Sequence, residues 1–124
     1  MKLNLTITPE KLAIVQLPAD EKIPNWVSGN FYSITQTEDE LSIVCNQDVV
    51  PKNAKADKGW KAIKIMGLLD FSLVGILANL STILAKVNIS IFAISTYNTD
   101  YLLVKKENLE KATEALKSAG HNIK

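Results

Sequence analysis

The chain contains no arginine. Its fourteen basic residues are all lysine, and against thirteen acidic residues they leave a net charge of +1. A chain without a guanidinium has no bidentate fork for carboxylate, phosphate or guanine. The near-zero balance also argues against a nucleic-acid binder that works by neutralising phosphates. Cysteine occurs once, at Cys45, which excludes an intrachain disulfide framework, a cysteine-based zinc site and a cysteine-ligated iron–sulfur cluster. Histidine occurs once, at His121, which excludes a multi-histidine metal site. Long apolar runs are missing too. No uncharged stretch, Phe71 to Ala85 included, exceeds fifteen residues, short of the roughly 20 that span a bilayer. Lys2 is followed by no apolar segment before Pro9 and Glu10, so no secretory signal is expected. The expectation is a cytoplasmic protein with no membrane and no nucleic-acid partner, no metal and no cofactor.

What is present is ordinary for a globular core: 47% hydrophobic and 22% charged residues in a chain of 124. Leu3 to Ile7 alternates apolar and polar residues as a half-buried strand does. Residues 12–17 are an apolar run closed by Pro18 and also read as a strand. Pro18 to Pro24 is a loop, and Trp26 is placed on a single helical turn. Residues 31–36 and 41–45 form a hairpin around the acidic turn Glu38-Asp39-Glu40. Residues 52–59 are polar and read as a linker, followed by a strand from Trp60 to Met66. Leu73, Ile76, Leu77, Leu80, Leu84 and Val87 recur at spacings of three and four, which predicts a helix starting near residue 72 and capped by Asp70 or Ser72. Residues 89–94 are apolar on both faces and predict a central buried strand, with Asp100 to Lys105 as its hairpin partner. A last helix runs from about Glu107 to Ala119 and stops at Gly120. The tail after it is too short for a full strand.

The chain carries an internal repeat. A shift of 60 residues lays Ile34-Thr35-Gln36-Thr37 over Ile94-Ser95-Thr96-Tyr97, and Glu40 to Val44 over Asp100 to Val104. Upstream of the hairpins, Ala13-Ile14 and Ala62-Ile63 give the two preceding strands a common core. The second copy reads strand–helix–strand–strand–helix, the ferredoxin-like α+β order βαββαβ with its last strand to be found elsewhere. Leu3 to Ile7 is the candidate for that strand. In the first copy the helix is cut down to a turn. The expected organisation is a degenerate repeat over 1–58 and a full repeat over 59–124, together one compact unit.

The richest chemistry lies where the strand at 60–66 turns into the helix, Gly67 to Ile76. Free N–H groups at a helix start attract a carboxylate. Gly75 lets a ligand or another chain come close, and Asp70 can accept an ammonium. An α-amino acid carries both groups. The same residues also serve a purely structural arrangement, with Asp70 and Ser72 as caps and Gly75 as a packing residue. Cys45 reads as a core residue, since nothing near it lowers a thiol pKa, and His121 as solvated. Ser95, Thr96 and Thr99 offer hydroxyls but no histidine to activate them, so no enzyme is expected.

Leu69 to Ala78, Ile89 to Val104 and Glu40 to Cys45 together resemble the ACT domain, the small-molecule-sensing module of amino-acid metabolism. The likeness is to short proteins with tandem ACT-like repeats, related to the regulatory ACT pairs of aspartate kinases and to the cytosolic arginine sensor of animals. It runs from about residue 10 to 120. The resemblance implies an effector bound between two units, touching the strand–helix turn of one and the following strand of another. Here that turn is Leu69, Asp70, Phe71, Ser72, Gly75 and Ile76, and the strand is Ile94, Ser95 and Thr96. Ile34 and Thr35 match them in the first copy, which lacks a full strand–helix turn and so contributes only a wall. The implied protein is a non-catalytic sensor of an amino acid or similar metabolite, a homodimer read by a separate protein partner. The other reading is an interaction module that keeps no ligand.

Overall fold

The computed structural model describes residues 2–67 and 75–124. Among them are eight strands and two helices: β1 Asn4–Ile7, β2 Leu12–Leu17, β3 Ser33–Gln36, β4 Leu41–Asn46, β5 Lys55–Ile65, α1 Ile76–Lys86, β6 Phe92–Ser95, β7 Asp100–Lys105, α2 Leu109–Ser118 and β8 Asn122–Ile123. The fold is α+β. The chain divides into a first unit, Glu10–Trp60, and a second unit, Met1–Pro9 with Lys61–Lys124. The division falls at 60/61 inside β5, whereas sequence reasoning drew it at 58/59, and the first nine residues fold with the second unit.

In the first unit the strands lie in the order β3-β4-β2-β5, each pairing antiparallel with its neighbour. This is ferredoxin-like strand order. No helix covers it. Ala13, Val15, Leu41, Ile43, Cys45 and Val50 form the core, closed by Trp26, Val27, Ile34 and other partly buried residues. Trp26 sits in a turn closed by Val27 N–H donating to the Pro24 carbonyl at 3.4 Å, where a helical turn was expected. Residues 55–59 of the linker expected at 52–59 are instead the first part of β5, with Lys55 opposite Gln16 and Asp57 opposite Ile14. Its charges hid it, because only Ala54 and Ala56 of residues 52–59 pack against the core. A bulge separates the pairs Ala13/Lys58 and Leu12/Trp60, leaving Gly59 extra at φ +85°, a conformation glycine adopts without strain.

The second unit has the order β6-β7-β5-β1-β8. β1 pairs antiparallel with β5, Leu5 opposite Ile65, and so fills the fourth-strand position, as the alternation in Leu3 to Ile7 suggested. The short tail does form a strand after all: β8 lies parallel to β1, with Asn122 opposite Asn4. Both helices contribute to one core in which Leu80, Leu84, Ala112 and Leu116 pack with Leu5, Ile63, Ile65, Leu102 and Val104. β6 is an edge strand paired with β7, and half-exposed, where a central buried strand was expected. Ile89 and Ile91, just before it, are the residues that join the helix-side core.

The repeat is visible in the pairing, with one correction. Ser33 opposite Val44 in the first unit becomes Phe92 opposite Leu103 in the second, a displacement of 59 residues on both strands. Thr37 therefore corresponds to Thr96, not to Tyr97. The shared Ala-Ile pair is also out of step, since Ala13 faces the first core whereas Ile63, not Ala62, faces the second. Apolar runs match equally well at neighbouring offsets, and only hydrogen-bond register decides between them.

Candidate functional site

Chain direction in the second unit collects several elements at one end. β5 ends at Ile65, the chain returns through α1, and β6 runs back up to Ser95 before the turn into β7. Three hydrogen bonds fix the gathering. Thr99 Oγ1 donates to the Ile65 carbonyl at 2.7 Å. His121 joins Leu3, at the start of β1, to Asn79 in the first turns of α1.

α1 begins later than its periodicity indicated, at Ile76, with Gly75 as its N-cap at φ 81° and ψ 2°. The cap glycine stands where a glycine one turn inside the helix was expected. Its carbonyl accepts from Asn79 N–H at 2.8 Å. It offers no side chain of its own to the N–H groups of Ile76, Leu77 and Ala78, the donors a helix start presents to an anion. The side chain of Ile76 is 7% exposed and belongs to the core. Leu69, Asp70, Phe71 and Ser72 lie outside the described residues, so the capping role expected of Asp70 or Ser72 does too.

The remaining candidate residues divide by sheet face. Ile94 is opposite Tyr101 and points away from the helices, because the alternating Leu102 and Val104 face them. Ser95 is on the other face, where its hydroxyl donates to Asp100 Oδ1. Thr96 closes the turn, its N–H donating to the Thr99 carbonyl at 2.8 Å. Gly75, Ser95 and Thr96 thus share the end of the second unit, while Ile94 looks to the helix-free face. Ile34 packs against the first core, and Thr35 is exposed opposite Ser42.

Three residues at this end were not picked out from the sequence. Asp100 brings a carboxylate beside Ser95. Thr99, read only as one more hydroxyl, is buried. His121, expected to be solvated, is 4% exposed. Its Nδ1 accepts from Leu3 N–H at 3.0 Å, so the ring proton is on Nε2 and donates to Asn79 Oδ1 at 2.9 Å. Burial holds the imidazole pKa below its usual value. The sequence signal for His121 was its place directly after the helix-stopping Gly120, where the chain turns back onto the sheet. In the first unit Cys45 is buried in the core, and burial pushes its thiol pKa up, as an inert thiol requires. Among the described residues, no group of three or more His, Cys, Asp or Glu converges for a metal ion.

Comparison with known proteins now decides the family. A family model described as the ACT domain matches residues 55–118, more than half of the chain. The chain belongs to the ACT-domain family. A second model, described as an N-terminal domain, matches residues 10–53. A solved protein from Agobacterium tumefaciens is 39% identical, covers 100% of this chain and 93% of its own, and superposes with a TM-score of 0.95. The human protein CASTOR3P is 32% identical over 101 residues, a match spanning 71% of this chain and 62% of that protein. The ACT fold also superposes on the ligand-free regulatory subunit of aspartate kinase from Thermus thermophilus, at 10% identity and a TM-score of 0.63, covering 91% of this chain and 96% of that one. No described helix is long and apolar enough to cross a membrane.

Proposed function

We propose that this ACT protein is a non-catalytic sensor of an amino acid or a closely related metabolite, bound at the helix-start end of its second unit. The observation that carries the reading is the company kept by that helix start. The N-cap is a bare glycine, and the same end of the sheet holds the Ser95 and Thr96 hydroxyls and the Asp100 carboxylate. Main-chain N–H groups suit an α-carboxylate without any arginine. Asp100, with Asp70 from the adjoining segment, supplies acceptors for an ammonium. We assign Leu69, Phe71, Ser72 and the main chain of Ile76 to the same site, and Ile94 and Thr35 to the surface that a second copy of the chain would bring to it. In this reading the first unit is the degenerate repeat and the second unit the ligand-bearing one.

A homodimer formed through exposed sheet edges suits this site, because β6 is an edge strand that pairs only with β7 among the described residues. Ligand between units favours one arrangement of them, and a separate protein partner reads the change. The aspartate kinase regulatory fold and the CASTOR-named relative support a regulatory role of this kind.

Thermal-shift screening against the twenty amino acids and common biosynthetic end products tests the reading. A ligand at 100 times its Kd adds roughly 2.7 kcal/mol of stability, enough for a clear rise in Tm. A shift confined to one compound or a related group supports the sensor. No shift for any of them, in folded protein, contradicts it and leaves an interaction module without a ligand.

A further inference from the structure

Thr99 is 6% exposed although it belongs to a turn in which Tyr97 is 82% exposed. Every polar atom of Thr99 is engaged. Its carbonyl accepts from Thr96 N–H at 2.8 Å and from Thr96 Oγ1 at 3.1 Å, and its N–H donates to Thr96 Oγ1 at 3.3 Å. Those bonds close the turn by themselves. The first unit demonstrates it: Thr37 and Glu40 repeat the same set at 2.9, 3.4 and 3.2 Å. There the fourth residue has no hydroxyl, and the Glu40 carboxylate accepts from Gln16 Nε2 at the surface at 3.3 Å. The Thr99 hydroxyl is therefore surplus to turn formation, and the 2.7 Å bond to the Ile65 carbonyl has another consequence. It ties the turn to the last residue of β5. The next residue, Met66, is held by its N–H to the Asn4 carbonyl at 2.7 Å, and Gly67 at φ +85° then turns the chain out of the sheet toward the strand–helix connection.

We propose that Thr99 is the positioning residue of the ligand site, its hydroxyl locking the Ser95–Thr96 edge to the exit of β5 so that the two sides of the site hold one geometry. The inference rests on the sensor reading above. It names no contact between Thr99 and the ligand. Thr99 acts through Thr96 on one side and through the Ile65–Gly67 exit on the other.

The test measures the Kd of each of the twenty L-amino acids for the full chain and for two variants, Thr99→Val and Thr99→Ser, at a temperature where all three are folded. Valine keeps the shape and removes the donor, whereas serine keeps the donor. The expected result is a Kd weakened at least about tenfold by Thr99→Val and restored to within about threefold by Thr99→Ser. A purely structural hydroxyl would lower Tm in the valine variant and leave Kd unchanged, and that result overturns the proposal while leaving the sensor reading intact. Wild-type protein that binds neither any of the twenty nor a common biosynthetic end product overturns both. Should Thr99→Val not fold, amide hydrogen exchange on the wild type decides. Ligand must raise protection at Met66–Gly67 and at Thr96–Thr99 together, and protection gained on one side alone overturns the coupling.

Discussion

The two units share one strand order and differ in what covers the sheet. In the second, α1 and α2 lay Leu80, Leu84, Ala112 and Leu116 on Ile63, Ile65, Leu102 and Val104. In the first, an irregular stretch brings Trp26 and Val27 to Val15, Leu41, Ile43 and Cys45. Even the turns repeat, Thr37 to Glu40 for Thr96 to Thr99. The difference shows which part of a ferredoxin-like repeat is dispensable. Four strands with a ladder and one apolar face persist without a helix when a loop closes the core. A helix start, with its outward N–H groups, does not persist. If the ligand is held by that feature, only the second unit can hold it.

The contrast can be broken most forcefully at the core. Leu80→Ala removes a fully buried side chain and is expected to cost about 3 kcal/mol in chemical denaturation. Val27→Ala, in the loop that stands in for a helix, is expected to cost about 1 kcal/mol because that side chain is only half-buried. Equal losses would mean that the loop packs as a helix does. At His121 the expected loss on substitution by Ala is about 2 kcal/mol, since the Leu3 N–H loses its acceptor.

Gly75→Ala sharpens the comparison at the helix start. Among the described residues no atom lies within 4 Å of the added Cβ, so the expected cost, about 1 kcal/mol, comes from the backbone conformation at φ +81°. A larger loss would reveal a steric contact. The pH dependence follows from the neutral His121. Its folded pKa lies below the unfolded value near 6.5, so the unfolded chain takes up the proton first. Stability is complete above about pH 6.5 and is lost as pH falls through the lower folded value; below that it levels off. His121→Asn should remove this phase from denaturation measured between pH 7 and about pH 4. The smallest effect is expected from Thr37→Val, about 0.5 kcal/mol in the same assay, because its turn is exposed.

Periodicity alone identified α1, α2 and the alternating strands, and the placement of Leu3 to Ile7 beside β5 came from the need for a fourth strand. Lys55 to Lys58 was misread because an edge-on, charged stretch has no apolar face to announce it, although its backbone pairs with β2. The offset of the repeat was misread by one residue because Ile34 and Ile43 have apolar counterparts at either offset. Of the candidate site, Gly75 was legible as a place of close approach but not as the positive-φ N-cap it is, and Ser95 and Thr96 were legible as hydroxyls. Thr99 and His121 were not legible, because their burial depends on partners 34 and 118 residues away in the chain. No local pattern encodes such contacts.

The most direct test of the claim that only the helix-bearing unit binds is the stoichiometry of the amino acid found by screening, measured by isothermal titration calorimetry on the full chain. The account predicts one equivalent per chain. Two equivalents would mean that the helix-less unit also binds, and would contradict it.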